Sequence, residues 1–253
     1  MAKITSVTHV LMIFAVLLAA TLVWADNKPW NGKPYQRWDA KDVQQIMTHS
    51  PWVSRTTVRR SWVPSKQTTV VQPVQQEISG GVRSNPNVLG SVQGNTGGTD
   101  SGSDQSPQQV NTYVYWYSSR LIRAAAARQS FLRGSMDQAA AEKFTAAPQA
   151  EYQIVLRMDD MTPFTQKDEK FYQQNAFLQM RRSKLKLPPS KVVYEHMGTI
   201  TEDVVFFFPK TADGAPTIAS DETDVTFSCK IADHTLRADF RPKKMVDQFG
   251  LDL

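Results

Sequence analysis

The chain has 253 residues, a formal net charge of +5, four histidines and one cysteine. The single cysteine excludes an intrachain disulfide, so an ordinary hydrophobic core must hold the fold. The mild positive excess reads as plain solubility, and the length suits one domain or two small ones.

The first 25 residues read as a cleavable secretory signal. Lys3 supplies a positive start, Val10 to Ala25 is apolar except for Thr21, and Val23-Trp24-Ala25 precedes polar Asp26-Asn27. The apolar run of 16 residues is shorter than the roughly 20 that span a bilayer core. Cleavage after Ala25 and export to the periplasm or beyond are therefore expected, with no membrane span left in the mature chain.

A tryptophan-rich stretch follows, with Trp30, Trp38, Trp52 and Trp62. Asp39 reads as the N-cap of a helix, with acidic Asp42 in its first turn. Val43, Ile46 and Met47 form its apolar stripe, and Pro51 ends it. Residues Trp52 to Val74 are β-branched and basic, predicting two short strands interrupted at Pro64. Residues Ser79 to Asn111 hold seven of the twelve glycines, with Ser, Asn and Gln and no aromatic residue. Such a segment cannot bury enough apolar surface to offset its ordering entropy, which predicts a disordered insertion. The piece 26–78 is too small to fold alone and is expected to pack on a main domain at 112–253.

Tyr113 to Tyr117 reads as a strand, and Ser118 or Ser119 as the cap of a helix through Leu132, with Gly134 as its C′ residue. Ser135-Met136-Asp137-Gln138 predicts a capping box opening a second helix to about Thr145. Glu151 to Met158 reads as a strand, and Thr165-Gln166-Lys167-Asp168 as the start of another helix. Further strands are expected over 177–187, 192–196, 204–208, 223–231 and 236–241. The last two alternate cleanly around Asp233-His234, predicting a hairpin with one buried face that carries Val225, Phe227, Cys229 and Ile231. Central helices and terminal strands point to α+β, an antiparallel sheet with a few packed helices and a C-terminal β-hairpin.

No local motif carries chemistry. His49, His196 and His234 lack metal-ligand spacing, no GxSxG turn is present, and no cofactor motif occurs. Cys229 on an apolar face reads as a buried, inert thiol. Asp221-Glu222-Asp224 lacks the spacing of a calcium loop and reads as a charged turn, and Asp159-Asp160 as a solvated one. Two basic runs, Arg55-Arg59-Arg60-Lys66 and Arg181-Arg182-Lys184-Lys186-Lys191, read as solvent faces of strands. Export argues against nucleic acid as their partner, and both runs lying on one face would mark a binder of acidic polymer. Core packing of Trp38, Trp52 and Trp62 is the simpler reading of the tryptophans. Their alternative use, with the basic runs, makes Trp30, Trp38, Arg59, Arg60, Arg181 and Arg182 the candidate binding surface.

The segment from Tyr35 to Trp52, with Trp38, Asp42-Val43, Ile46 and Ser50-Pro51-Trp52, resembles the opening of uncharacterised secreted bacterial proteins of the GWxTD-domain type. The hairpin over Val225 to Phe240 and the short tail from Lys244 to Leu253 are similar to one branch of that group. The Gly-Trp-x-Thr-Asp signature itself does not occur in the chain. The resemblance implies export and no established activity, so it assigns no functional residue. The expectation is an exported, non-enzymatic binding or structural protein of the cell envelope, without cofactor, acting on an envelope or extracellular partner. The alternative is an envelope hydrolase or other enzyme whose site is not visible as a local motif.

Overall fold

The computed structural model describes residues 28–62 and 109–253. The predicted signal segment, the strand expected after Pro64 and most of the predicted disordered insertion lie outside them. The insertion's last three residues, 109–111, are strand instead. Val110 pairs with Val58 and is buried, so cross-strand pairing overrides the polar composition there.

The fold is α+β. Helix α1 (Ala40–His49) starts as the sequence predicts, with a reciprocal box in which Asp39 accepts from the Asp42 N–H and Asp42 from the Asp39 N–H. Strand β1 (Val53–Arg59) pairs with β2 (Gln109–Trp116), and helix α2 (Arg120–Leu132) follows behind its Ser119 cap. Helix α2 ends in a Schellman motif. Gly134 (φ 73°) donates to Phe131 and Ser135 to Ser130. That motif uses up Ser135, whose hydroxyl also bonds Ser130, so the cap of α3 (Gln138–Ala146) is Asp137 rather than the predicted Ser135.

Strand β3 (Glu151–Met158) matches its predicted bounds. The helix predicted from Thr165 is two pieces, a single turn α4 (Thr162–Thr165) and α5 (Glu169–Asn175). Asp168 caps α5 through the Phe171 N–H, because its short carboxylate reaches that donor. Strands β4 (Ala176–Met180) and β5 (Lys186–Leu187) replace one predicted strand, split by a turn closed by the Met180 N–H on Leu185. Strands β6 (Lys191–Met197) and β7 (Ile200–Pro209) form a hairpin, and β8 (Thr211–Ala212) with β9 (Ala215–Pro216) a small ribbon. The predicted terminal hairpin is β10 (Val225–Ile231) and β11 (His234–Phe240), turning at Ala232-Asp233 rather than Asp233-His234. A ribbon of β12 (Val246–Asp247) and β13 (Gly250–Leu251) closes the chain.

Two antiparallel sheets result, β1-β2-β3-β7-β6 and β11-β10-β4-β5. Their inner faces meet through aromatic side chains. The Phe206 and Phe227 rings lie 5.0 Å apart, and those of Trp116 and Phe240 lie 5.2 Å apart. Helix α1 and the end of α2 lie against Tyr113 and Tyr115 on the other face of the first sheet. Residues 28–62 are part of the same core. Trp52 is fully buried, meets Trp30 edge to face, and donates its indole N–H to the Asp252 carbonyl at 2.6 Å.

Candidate functional site

The predicted surface residues do not form one surface. Trp30 and Trp38 are buried at 8% and 3% exposure. The reason is polar as well as apolar, since the Trp38 indole N–H reaches the Lys33 carbonyl at 2.9 Å and its own carbonyl accepts from Arg128 at 2.7 Å. Arg59 is exposed at the end of β1, whereas Arg60 is tied to Asp160 at 2.7 Å. Arg181 and Arg182 lie in the β4–β5 turn, paired with Asp224 and Asp221. The register puts Arg55 and Arg59 on the outer face of the first sheet and Lys186 on the outer face of the second. Those faces point away from each other, so among the described residues the two basic runs do not form one surface, although Lys191 of the second run lies on the outer face of the first sheet, beside Phe207.

The acidic cluster has a defined job. Glu222 is buried and accepts backbone N–H groups from Arg182 at 2.7 Å and Ser183 at 3.3 Å. Burial alone would raise its carboxyl, but these and the Thr223 and Asp224 N–H groups outweigh it and hold the carboxyl below its usual range. Asp221 and Asp224 add pairs to Arg182, Arg181 and Arg241. The cluster therefore fixes the β4–β5 turn, a role that depends on contacts across forty residues and has no local signal.

Ser61, Asp233 and His234 meet, but the Ser61 hydroxyl donates to Asp233 and the His234 ring faces the same carboxylate oxygen. A nucleophilic serine needs the imidazole on its own oxygen, and here the carboxylate stands between them. Cys229 is fully buried and burial pushes its thiol up, which makes it inert. On the outer face of the first sheet, Arg157 holds both oxygens of Asp203 at 2.7 and 2.6 Å. Glu195 lies across from Asp203 at a bulge, and burial, then the charges of Asp203 and Glu202, raise its carboxyl. Among the described residues no group of three or more His, Cys, Asp or Glu is placed to hold a metal ion.

Among the recesses on the surface of the described residues are three that include no histidine. One of about 410 Å³ lies between α1, the end of α2 and the stacked rings of Tyr113 and Tyr115. Burial pushes the Tyr115 phenol up to about 12, so it stays protonated. A second, of about 350 Å³, lies on the second sheet among Gln179, Arg181, Lys184, Asp224, Thr226, Asp239 and Arg241.

The third, of about 270 Å³, has Trp30, Trp38, Leu121 and Ala124 at its base and the β12–β13 ribbon at its rim. Three apolar side chains of that ribbon face solvent, Val246, Leu251 and, at 70% exposure, Phe249. Val246 and Leu251 are direct cross-strand partners and so share a side of the ribbon. The ribbon is held from both ends. Arg120 donates to both oxygens of Asp247 at 2.9 and 3.1 Å and lies 4.6 Å over the Phe249 ring. Asp247 accepts the Phe249 N–H at 2.8 Å, and Gly250 (φ 106°) makes the return a side chain would strain. Sequence reading missed this ribbon because its strands are two residues long.

No family model matches the chain, and no curated protein or solved structure matches it.

Proposed function

We propose that the protein is a non-catalytic binding module of the cell envelope, exported by its N-terminal segment, that holds a partner protein on the β12–β13 ribbon. The carrying observation is Phe249, the most exposed large apolar side chain among the described residues, kept in one position at the mouth of an aromatic-floored recess. Water-exposed apolar side chains do not by themselves stabilise a fold, and a preorganised aromatic anchor is what an interface uses. Arg120, the Asx turn at Asp247 and Gly250 all restrict Phe249 before any partner arrives, which lowers the ordering cost on binding. The recess beside it has the size of one large side chain, so the partner is a protein that inserts an apolar residue next to Phe249.

The test places a photo-crosslinking residue at position 249 in cells and a control at exposed Thr235 on the second sheet. A discrete protein adduct at 249, absent at 235 and absent when Val246→Asp is added, supports the reading. No adduct at 249, or the same adducts at both positions, overturns it. Export is tested separately: the N-terminus of the envelope form is expected at Asp26, and a form that begins at Met1 and needs detergent would contradict cleavage.

A further inference from the structure

The small net charge hides a strong asymmetry. On the second sheet the inner residues of β10 and β11 are buried, and their neighbours lie on the outer face, where all but Ser228, buried between Arg237 and Phe177, reach solvent. The register sets Asp239, Thr226, Gln179 and Lys186 in one row across four strands, and Arg237, Ser228 and Phe177 in the next. With the turns at its end this face carries six exposed cations, Arg181, Lys184, Lys186, Lys230, Arg237 and Arg241. Among the described residues its carboxylates outside the buried Glu222 are Asp224 and Asp239, with Asp221 in the turn region neutralised by Arg182 and Asp233 in the β10–β11 turn, in a chain whose whole excess is +5. Such a concentration of one sign makes a local potential that attracts anions.

The recess of about 350 Å³ sits at the β4–β5-turn end of this face. Its rim cations are incompletely satisfied. Asp224 is shared by Arg181 at 3.3 Å and Arg241 at 3.6 Å, which leaves most of both guanidinium groups' donors without a partner among the described residues. Lys184 has no ion-pair partner among the described residues, and the turn holds it at φ 61°, a conformation that side chains pay for and that directs it to the rim. Asp239 accepts from the Thr226 hydroxyl at 2.6 Å, and its second oxygen has no donor among the described residues. Gln179 adds an amide that both donates and accepts.

We infer that this face binds an acidic saccharide, with a sugar unit in the recess, its hydroxyls on Asp239, Thr226 and Gln179, and its carboxylate, phosphate or sulfate groups on Arg181, Lys184 and Arg241. The mixture decides the class. A simple anion would meet two repelling carboxylates, and a flat membrane surface could not reach the recessed Thr226 and Gln179. A ligand that carries both hydroxyl donors and anionic groups satisfies both sets. Further charged units along the chain meet Lys186, Arg237 and Lys230. This surface is separate from the β12–β13 ribbon, and either assignment can fail without the other.

The probe is a defined oligouronate, titrated against the purified protein by calorimetry at 50 and 300 mM salt, with neutral dextran and vesicles of phosphatidylglycerol and phosphatidylcholine as parallel arms. Saturable binding of the oligouronate, weaker at high salt and absent for dextran, is expected. The triple substitution Arg181→Ala, Lys184→Ala, Arg241→Ala is expected to weaken it about tenfold or more, each exposed charge pair being worth a factor of roughly 1.5–5. Asp239→Ala is expected to weaken it too, although it adds net positive charge, which a purely ionic surface would not show. All four side chains are exposed or lie on the solvent face, so unchanged near-UV circular dichroism confirms intact folding. Binding to the vesicles alone, tighter binding in Asp239→Ala, an unaffected triple variant, or no oligouronate binding at 50 mM salt each overturns the proposal.

Discussion

The two sheets bury one face each against the other, and their outer faces show what makes a sheet need a cover. Across the first sheet the register gives Val53, Tyr115, Val155, Val205 and Val193 as one outer row. Across the second it gives Asp239, Thr226, Gln179 and Lys186. The apolar row is covered, with Tyr115, Val155 and Val205 all below 8% exposure. The polar row is left in solvent and becomes available to a ligand. One alternation rule produces both; the outer residues alone decide whether a sheet becomes a middle layer or a surface.

That comparison is broken most directly by putting a charge on each outer face. Val155→Asp places an unpaired carboxylate at a buried, apolar position, and is expected to cost about 4 kcal/mol or more, enough to prevent accumulation of folded protein. Thr235→Asp on the open face, opposite Lys230, is expected to stay within about 0.5 kcal/mol of wild type by urea denaturation. Equal costs at the two positions would mean that the second sheet is covered after all.

Next in size is the joint between the covered layer and the chain ends. Trp52→Ala removes a fully buried indole and its bond to Asp252, and is expected to cost about 3–5 kcal/mol. The loss should appear in amide protection across β10 and β11 as well, because Trp52 lies in the same core cluster as Phe227 and Phe240. Unchanged hairpin protection would show that residues 28–62 are held independently.

A smaller effect separates ion pairs on the two faces. Arg157→Ala leaves the nearly buried Asp203 without its bidentate partner and is expected to cost about 1–2 kcal/mol, less than a fully buried pair because the guanidinium is partly in solvent. Arg241→Ala on the open face removes only a loose pair with Asp224, and a cost below about 0.5 kcal/mol is expected in the same denaturation assay.

The legible parts of this fold are those whose signal is local. The Asp39 cap, the Gly134 stop, the bounds of β3 and the buried face of β10 follow from propensity and period. What escaped was set by partners distant in sequence. Ser135 looks like a cap until the preceding helix claims it, and Gln109 to Asn111 look structureless until β1 pairs with them. Trp30 and Trp38 carry the composition of a binding surface and the contacts of a core. The candidate sites escaped for the same reason. The ribbon of Phe249 depends on Arg120, and the basic recess collects residues from β4, the β4–β5 turn, β10 and β11.

The smallest effect is one of sign, between a carboxylate rich in donors and one that is mainly buried. Asp160 accepts from Arg60, Trp62 and both donors of Thr162. Burial alone would raise its carboxyl, but those bonds outweigh it and bring the carboxyl down to about 2. A depressed carboxyl stabilises the fold above its unfolded value near 3.8 and loses that contribution as pH falls toward 2. Asp252 is the opposite case. Burial raises its carboxyl despite the N–H groups of Arg120 and Leu121, so the folded state takes up that proton first and gains stability from it on acidification. Wild type is expected to exceed Asp160→Asn by about 1 kcal/mol at pH 6, after discount for partial exposure, with the gap closing by pH 2. Relative to Asp252→Asn, wild type is expected to gain as pH falls below the raised value. Urea midpoints measured from pH 7 to pH 2 give both slopes; parallel slopes for the two variants would mean that Asp252 is hydrated rather than buried, and that the chain terminus does not cap α2.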